Sequence, residues 1–500
     1  MIEFGAFGTG TTIVGIVFTL VAALAIQCTV NMIIWRYKLR HISGPAPWPI
    51  FGHMLMKDGV LTTKFLRRHS KTYGNIFQYW PGWKPMVVVL HPDQVKQVLT
   101  DSHIFVKGPE YVEKFGTAFG EGLVTSNGAK HKGDRKLMGR FFVRSNVEKY
   151  LPIMSEHANL MFEEMLDTAT DEELENRDIS HVFHYITNHM IHKFVVGVDC
   201  TKSEKGREWI KWFSEFINVS NDVVGKAIIL GIPLKRGWSL ARLLPQNNRL
   251  NNGVDIVHLK CDEMVADRKK MREEKPEEEA DDILKCMLDN NLSSTEIRDH
   301  FLTTLAAGHD TTSWLLSYTA YLLARHPEVQ TKLKAEIKKV VGNNKQITKE
   351  DIKELVYLDM VIKEALRVYA VIPFLPRLAS RDVTLRGVDV KIPKGCTVLV
   401  SMAILNRNAD TWVDPHKFIP ERFENIADQD MRRGYIPFAY GTRRCIGMAF
   451  AQVEAVVVLT HLLQKYTLSP VEGYKPQPLH GISLQSANGM RVNIKRDKIN

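Results

Sequence analysis

The sequence predicts a mainly α-helical protein with small β-sheets, preceded by one N-terminal helix long enough to cross a membrane. Long helical patterns of apolar residues occupy residues 293–325 and 448–466, and they exceed the length of any strand-like run. Strand-like runs of Val and Leu are short, as at residues 86–90, and runs near the C-terminus predict a β-hairpin around Asn488-Gly489. The third observation is that no charged residue occupies positions 4–35.

The apolar N-terminal stretch predicts a retained signal anchor. Residues 12–35 are rich in Ile, Val and Leu, and about 20 apolar residues suffice to cross the hydrocarbon layer. Arg36, Lys38 and Arg40 follow at once, which predicts that the rest of the chain lies on the cytosolic side. A cleaved signal peptide is the alternative, but its apolar core is usually shorter and it ends at a small-x-small site.

The composition is that of a globular protein with a basic excess. The chain has 500 residues, of which 45% are hydrophobic and 24% charged, and its net charge is +10. That charge suits nucleic acid, an anionic membrane or an acidic protein partner, but no zinc-finger spacing or RNA-binding signature occurs, so nucleic acid is not expected.

The cysteines are scattered with no C-x-x-C pair, which indicates reduced thiols facing the cytosol. We expect an anchor with its basic flank at residues 1–42 and one catalytic domain at residues 43–500.

The most informative stretch has the pattern F-x-x-G-x-R-x-C-x-G and ends at Gly447. Cys445 stands before a helix, whose free N–H groups and positive dipole end favour a thiolate, and a thiolate ligand on haem iron favours O–O cleavage. Gly441 permits a tight turn, and Gly447 lets the helix approach the flat macrocycle. Phe438 can shield the sulfur from water, and Arg443 can bind a haem propionate. A lone cysteine is more often buried and inert, but the four other matched positions favour the ligand hypothesis.

A second motif, Ala-Gly-His-Asp-Thr-Thr at residues 307–312, lies within the helix predicted at residues 293–325. A glycine and two threonines weaken the middle of a helix, and Thr hydroxyls can bond back to carbonyls one turn earlier. This weakened stretch, which contains Gly308, would form a notch in the helix. Pressed against a haem face, the notch would make room for dioxygen and a water. Thr311 would then hold proton donors, and Asp310 would relay protons from solvent. The alternative is close packing of small residues in a buried helix.

Together these patterns resemble the cytochrome P450 superfamily, the haem-thiolate monooxygenases, and the resemblance runs from about residue 43 to 495. It rests on four motifs in the family's order: residues 307–312, the pair Glu364 and Arg367, residues 420–423, and residues 438–447. The resemblance implies the cytochrome P450 fold. In that fold, haem b is held between the helix that carries Gly308 and the loop that carries its axial ligand, Cys445.

The same resemblance implies residues that bind the haem propionates. His131 and Arg135 are four apart and so share one helix face, at the place where family members usually have Trp-x-x-x-Arg on one propionate. His-x-x-x-Arg occurs as a variant. By position, Arg377 resembles the arginine that binds the second propionate. Without the haem loop, two solvated charges on a surface helix would be the preferred interpretation of His131 and Arg135.

A further implied feature is a buried ion network. Glu364 and Arg367 are three apart on a predicted helix and can meet on one face. An exposed pair of this kind contributes little to stability. The family buries it and adds an arginine from a Pro-x-Arg-Phe segment, which is Arg422 here. The resemblance therefore implies a structural role, in which a carboxylate between two guanidiniums fixes the loop that carries Cys445.

The resemblance implies a monooxygenase that inserts one oxygen atom from O₂ into a lipophilic substrate, with a sterol or another lipid favoured. Electrons would come from the diflavin enzyme NADPH–cytochrome P450 reductase, with cytochrome b5 as a further candidate donor, at the endoplasmic reticulum membrane. Two alternatives belong to other classes: an oxygen-independent haem-thiolate isomerase or dehydratase, and a haem-binding protein without turnover. The Asp310-Thr311 pair is typical of oxygen-activating members, so both alternatives are disfavoured.

Overall fold

The computed structural model of the protein describes residues 6–56, 62–197, 199–230, 245–279, 281–342, 346–426 and 434–498. The chain divides into two compact units, each formed by several segments. The first unit comprises Met1–Val106, Ile229–Ile232 and Pro376–Ser401, and the second comprises Lys107–Ile228, Pro233–Leu375 and Met402–Asn500.

Helices dominate the described chain, as the sequence predicts. They are α1 (Ala6–Lys38), α2 (Thr63–Tyr73), α3 (Pro92–Thr100), α4 (Pro109–Phe119), α5 (Gly128–Gly139), α6 (Arg144–Val147), α7 (Leu151–Phe162), α8 (Asp171–Leu174), α9 (Ile179–Val196), α10 (Glu204–Leu230), α11 (Pro245–Glu274), α12 (Ile283–Asp289), α13 (Ser294–Arg325), α14 (Pro327–Val340), α15 (Lys349–Glu354), α16 (Val356–Val368), α17 (Met402–Leu405) and α18 (Met448–Lys465). The two long helices expected at residues 293–325 and 448–466 are α13 and α18.

The strands are short and form small sheets. They are β1 (Ile76–Tyr79), β2 (Met86–Val89), β3 (Phe105–Val106), β4 (Arg177–Asp178), β5 (Phe374–Ala379), β6 (Val383–Thr384), β7 (Lys391–Ile392), β8 (Thr397–Ser401), β9 (Tyr466–Pro470), β10 (Pro478–His480), β11 (Leu484–Ser486) and β12 (Arg491–Arg496). The sheet orders are β1-β2-β8-β5-β3, β4-β12-β9, β6-β7 and β10-β11. A mainly α fold with small sheets is confirmed.

The hairpin predicted around Asn488-Gly489 is wrong. A turn does occur there, with φ of +75° at Gly489, but it passes the chain from β11 to β12, and these two strands belong to different sheets. The C-terminal hairpin is β10-β11, antiparallel with Leu479 opposite Gln485. The turn residues were identified correctly, but the strands that pair were not.

In the first unit, the end of α1 packs on the protein. The segment Phe18–Lys38 has the length and composition of a membrane-spanning helix, and most of its side chains are exposed. Its later part is an exception, because Cys28 and Met32 are buried. The backbone N–H of Ile50 lies 3.1 Å from the Met32 sulfur. The apolar helix therefore continues into the fold of this unit.

In the second unit, α13 is the helix on which the others pack. It begins with a capping box, in which the Ser293 hydroxyl accepts from the Glu296 N–H and the Glu296 carboxylate accepts from the Ser293 N–H. Because both exchanges satisfy N–H groups that a helix start leaves free, the first residue of α13 is well defined. Its neighbours include α9, α16 and α18.

The contact between α9 and α13 shows why position 308 is a glycine. A Cβ at this position would lie 2.6 Å from Cδ1 of Ile191 on α9, which is closer than atoms can approach. The Thr187 hydroxyl on α9 also donates to the carbonyl of His309 at 3.2 Å. Gly308 therefore lets two helices meet closely, and its expected place in a notch against a haem face stays a prediction. The helix continues through it from residue 294 to 325.

Buried histidines make the second unit sensitive to acid. Burial lowers the pKa of His192 and His461 to about 4 and that of His189 to about 3. Unfolded histidine binds a proton near pH 6.5. Below that pH the unfolded chain holds more protons, so the free energy of unfolding falls as the pH drops from about 6.5 towards 4.

We predict that each such histidine costs roughly 1 kcal/mol of stability at about pH 5.5 relative to about pH 7.5. Urea denaturation followed by circular dichroism at the two pH values measures this loss. His461→Gln removes one titrating group and should reduce the difference between the two midpoints. Equal midpoints for the unsubstituted protein at both pH values would contradict the prediction.

Candidate haem-thiolate site

The loop before α18 has a fixed and locally strained backbone. A short 3₁₀ turn covers Gly441–Arg443, and φ at Gly441 is +71°, which supports the turn expected of that glycine. Ala439 also has a positive φ, +60°, a conformation that costs a non-glycine residue of order 1 kcal/mol. The loop closes where the backbone N–H of Cys445 donates to the carbonyl of Phe438 at 2.8 Å.

Cys445 differs from the other cysteines in its exposure. Its side chain is accessible, whereas the remaining free cysteines are buried. Protein atoms nevertheless surround it, and this desolvation raises the pKa of its thiol, opposed by a hydrogen bond from the backbone of Gly447 and by the charge of Arg135. Both opposing interactions favour the thiolate.

Gly447 and Phe438 lie beside Cys445. A Cβ on Gly447 would lie 3.9 Å from the Cys445 sulfur and 4.0 Å from a Phe142 ring carbon, which is ordinary contact. Phe438 is half-buried against the core of the second unit. Their expected roles, approach to a macrocycle and shielding of the sulfur, stay predictions.

Helix α5 approaches the cysteine loop. The guanidinium of Arg135 donates to the carbonyl of Arg444 at 2.7 Å. Burial lowers the pKa of Arg135, while the nearby Cys445 raises it. The structure therefore brings Arg135 to the loop, as expected if both serve one site.

His131, also on α5, is surrounded by positively charged side chains. It is 7% exposed, and its pKa is lowered to about 4 by burial and then by the charges of Arg443, Arg135 and Lys107. The Arg443 guanidinium also donates to the side chain of Asn127 at 3.0 Å. A neutral imidazole among several cations is a donor set suited to an anionic group.

Arg377 lies in the first unit. It is 4% exposed, and its guanidinium donates to the carbonyl of Pro376 at 2.9 Å. Its role as a second propionate ligand stays a prediction.

One face of α13 is accessible within an otherwise buried helix. Between Asp299 and Ala324, all residues are buried except Thr304, Ala307, Gly308 and Thr311. These four follow the spacing of a single helix face. A strip of small side chains in the middle of a core helix fits a flat apolar group lying against it.

Asp310 and Thr311 have different surroundings, although they are neighbours. The Thr311 hydroxyl donates back to the carbonyl of Ala307 at 2.7 Å, as predicted for a threonine in a helix. Asp310 is 5% exposed, and one of its carboxylate oxygens, Oδ1, accepts from the side-chain amide of Gln485 at 3.3 Å. Asp310 therefore faces the protein, and Thr311 lies on the accessible strip.

Sequence reasoning missed Glu454. This residue of α18 is fully buried, and burial raises the pKa of its carboxyl well above the ordinary value, with the nearby Thr312 hydroxyl opposing. Neither carboxylate oxygen has a hydrogen-bond partner within the described residues. The signal that could have identified it is a carboxyl group inside the apolar pattern of residues 448–466. A glutamate is almost never fully buried without a structural or functional reason.

The structure brings Glu364, Arg367 and Arg422 together. Arg367 and Glu364 are fully buried and form two parallel bonds of 2.6 and 2.8 Å. Arg422 donates to Glu364 at 3.0 Å. The other donors of Arg367 reach the carbonyls of Asn406, Pro415 and Lys417 at 2.8 to 3.0 Å. All five N–H groups of its guanidinium are thus satisfied.

Fold and site together have the features of a haem-thiolate protein. A sequence model described as "Cytochrome P450" matches residues 42–491, which is most of the chain. The chain therefore belongs to the cytochrome P450 family, and it is a monooxygenase of the oxidoreductase class, as expected.

Individual relatives agree with the family assignment along nearly the whole length. The chain is 27% identical to cytochrome P450 4d2 of Drosophila melanogaster, over 95% of this chain and 99% of the relative. It is 28% identical to cytochrome P450 4V2 of Mus musculus, over 92% and 91% of the two chains. It is also 28% identical to a cytokinin hydroxylase of Arabidopsis thaliana, over 85% and 82%.

The residues present fit the haem-thiolate cofactor that the family implies. The accessible thiol of Cys445 supplies a soft ligand. The cations around His131 suit carboxylates, and the strip on α13 suits a flat ring. These three features are independent, and each matches a different part of the cofactor.

We predict that Glu364→Gln lowers the free energy of unfolding by roughly 3–5 kcal/mol, because it leaves two guanidiniums without their buried carboxylate. Urea denaturation of the full chain measures the loss. Lys417→Gln is the matched control: its side chain is 67% exposed and pairs with Asp414 at 3.0 Å, so its removal should have little effect. Similar losses in the two variants would show that burial does not set the energy of the network.

Proposed function

We propose that the protein hydroxylates a lipophilic small molecule with haem b bound through Cys445 and electrons supplied by NADPH–cytochrome P450 reductase. The observation that carries the proposal is the accessible thiol of Cys445. It lies in the loop whose sequence pattern is typical of the family, close to cationic hydrogen-bond donors. A haem so ligated supplies O₂ activation. The remaining steps depend on what this chain's own side chains do.

The first task is to hold the cofactor. Cys445 would ligate the iron, and the backbone N–H of Gly447, which bonds the sulfur, tempers its charge as hydrogen bonds to ligand sulfurs do. His131, Arg135 and Arg443 would bind propionates from the positive cluster. By its place in the family pattern, Arg377 is the proposed ligand of the second propionate. Glu364, Arg367 and Arg422 would act only by fixing the backbone near the loop.

The second task is to deliver protons. Thr311 presents its hydroxyl on the accessible strip, and Asp310 next to it is a buried carboxylate within bonding distance of Gln485. Thr311 would hold a proton donor in place, and Asp310 would pass protons inward. This pair disfavours an oxygen-independent isomerase or dehydratase and a haem-binding protein without turnover.

The third task is to receive electrons. Four basic side chains are exposed: Lys132 and Lys136 on α5, Arg140 just after it, and Arg444 on the cysteine loop. The hydrogen bond from Arg135 of α5 to the carbonyl of Arg444 joins this helix to the loop. A basic surface close to the sulfur suits an acidic face of the reductase, and it would also suit cytochrome b5.

For the location, we propose a single-pass anchor at residues 1–42 in the endoplasmic reticulum membrane and one catalytic domain at residues 43–500 on the cytosolic face. The apolar helix Phe18–Lys38 and the basic residues that follow it support this orientation. A membrane-bound reductase and a lipid substrate would then share one surface.

The substrate class we favour is a sterol or another lipid. Membrane attachment and the apolar surroundings of the α13 strip support a lipophilic molecule. One relative is named a cytokinin hydroxylase, which supports hydroxylation as the reaction without fixing the substrate.

The proposal predicts that Cys445→His abolishes the reduced carbonyl absorption band characteristic of a thiolate ligand, because imidazole donates less electron density to iron. The measurement is the difference spectrum of the reduced protein with carbon monoxide. Cys396→Ser, at a buried cysteine, is the control and should keep the band. Persistence of the band in Cys445→His would mean that another residue is the ligand.

The substrate proposal predicts that a sterol or another lipid shifts the Soret band from low spin to high spin when it is added to the purified holoprotein. A library of sterols, fatty acids, terpenoids and nitrogenous plant-hormone analogues, titrated at equal concentrations, tests the lipid preference. A response confined to the non-lipid members would overturn it.

A further inference from the structure

A closed loop in the first unit packs beside the last turns of α1. It comprises residues 48–55, and we call it the Trp48 loop. The backbone N–H of its Ile50 lies 3.1 Å from the sulfur of Met32, and Met32 is buried, whereas most of α1 is exposed. Met32 belongs to the segment Phe18–Lys38, which has the length and composition of a membrane-spanning helix. The loop therefore contacts the apolar helix within that segment and not beyond its end.

The depth of this contact follows from the geometry of the helix. Arg36 and Lys38 mark the end of α1 that faces water. At about 1.5 Å per residue, Met32 lies roughly 6–9 Å along the axis from these two residues, on the apolar side. Interfacial elements bury their apolar faces about 5–10 Å into a membrane. A membrane that covers α1 up to its basic end would therefore also reach the Trp48 loop.

The link between α1 and the loop is folded. The backbone N–H groups of Leu39 and Ile42 donate to the carbonyls of Trp35 and Leu39, both at 2.9 Å. The side chains of Leu39 and Ile42 are buried. His41 donates through Nε2 to the carbonyl of Lys391 at 2.8 Å. Because these bonds hold the link, the depth of the loop follows that of α1.

The loop exposes side chains that are typical of a membrane interface. Trp48 is 59% exposed, Phe51 49% and Leu55 61%. Tryptophan is enriched where a membrane meets water, and large apolar side chains grouped on a surface mark an interaction site more often than single ones do. Covering these three side chains with lipid would remove their apolar area from water, which is favourable.

The backbone of the loop is suited to an apolar environment. Each N–H group from Trp48 to Met54 has an acceptor, apart from Pro49, which has no N–H. Trp48 and Gly52 exchange two hydrogen bonds of 2.8 Å, and the Phe51 N–H donates to the carbonyl of Pro49 at 2.7 Å. An N–H group without an acceptor is costly in lipid. This stretch of the loop can therefore enter lipid without that cost.

Basic residues flank the loop on both sides in the sequence. Residues 36–75 contain eight Lys or Arg and one Asp, so most of the net charge of +10 lies next to the membrane helix. The Ser43 hydroxyl donates to the carbonyl of Tyr73 at 3.5 Å, which places the end of α2 close to the link. Arg67 and Lys71 on α2 are exposed. Cations beside an apolar loop suit the anionic headgroups of a cytosolic leaflet.

We propose that the Trp48 loop inserts into the cytosolic leaflet beside α1, so that lipid holds the first unit at a second place. The inference rests on the proposed single-pass anchor, whose apolar helix sets the depth. Acyl chains of that leaflet cover Trp48, Phe51 and Leu55. Anionic headgroups bind the cations of α2.

The test is a depth measurement on the full-length holoprotein in vesicles of phosphatidylcholine and phosphatidylserine. A nitroxide spin label on Phe51→Cys should collide several-fold less often with a water-soluble nickel chelate, and more often with oxygen, than a label on Val413→Cys. Val413, on the second unit, is 82% exposed and is the matched control. The unsubstituted protein, treated with the same label, gives the background, since its cysteines other than Cys445 are buried.

A label on Leu24→Cys separates this inference from the proposed anchor, because Leu24 is an exposed residue of the apolar helix. If the label on Leu24→Cys collides with the chelate as often as that on Val413→Cys, the anchor is wrong and the insertion with it. If Leu24→Cys reports lipid while Phe51→Cys reports water, only the insertion of the loop is wrong.

Charge substitutions test the cause of the insertion. Trp48→Glu together with Leu55→Glu changes two exposed positions, so the fold should persist, which circular dichroism checks. The label on Phe51→Cys should then approach the chelate accessibility of Val413→Cys, because a carboxylate is costly in lipid. Unchanged accessibility in the folded variant would overturn the proposal.

Two other occupants of the loop surface would give different results. Protection of the Phe51→Cys label only at a high ratio of protein to lipid would indicate a second copy of this chain. Protection that requires added reductase would indicate that partner. Either result would overturn the assignment to lipid.

Discussion

The second unit depends on one buried carboxylate, Glu364, clamped by two guanidiniums. Desolvating three charges is expensive, and the cost is offset only because the geometry satisfies their hydrogen-bonding groups. The same bonds tie α16 to backbone carbonyls between residues 406 and 417 and to the N–H of Ile419. These segments precede the cysteine loop in the chain. The bonds are hidden from water and none of them involves Cys445, and the expected effect of the network on the position of that loop stays a prediction.

Helix α13 is held in place by a different kind of interaction. It lies in apolar contact with α9, α16 and α18, and its accessible strip comprises only small side chains. The ion network is fixed by directional bonds to backbone groups, and α13 by close packing of helices. The cation Arg135 lies near the thiol of Cys445, and Asp310 lies beside the imidazole of His184 and the amide of Gln485.

Features carried by local spacing could be predicted from the sequence. The cysteine loop, the capping box of α13, the pairing of Glu364 with Arg367 and the long helices all follow from residues close together in the chain, with the family pattern adding Arg422. Features that depend on which faces meet could not. The role of Gly308 required knowing that Ile191 lies opposite, although 117 positions separate the two residues in the chain. Glu454 is a different case, because the carboxyl group inside the apolar pattern of residues 448–466 is a local signal that could have indicated it.

The close approach of Ile191 to Gly308 has a consequence for how this enzyme can diversify. Because the glycine has no side chain to yield, the volume of residue 191 sets how closely α9 can approach α13. A change of volume there would shift the two helices relative to each other, although residue 191 lies outside both α13 and the cysteine loop. Helix spacing can therefore change through a position that none of the sequence motifs includes.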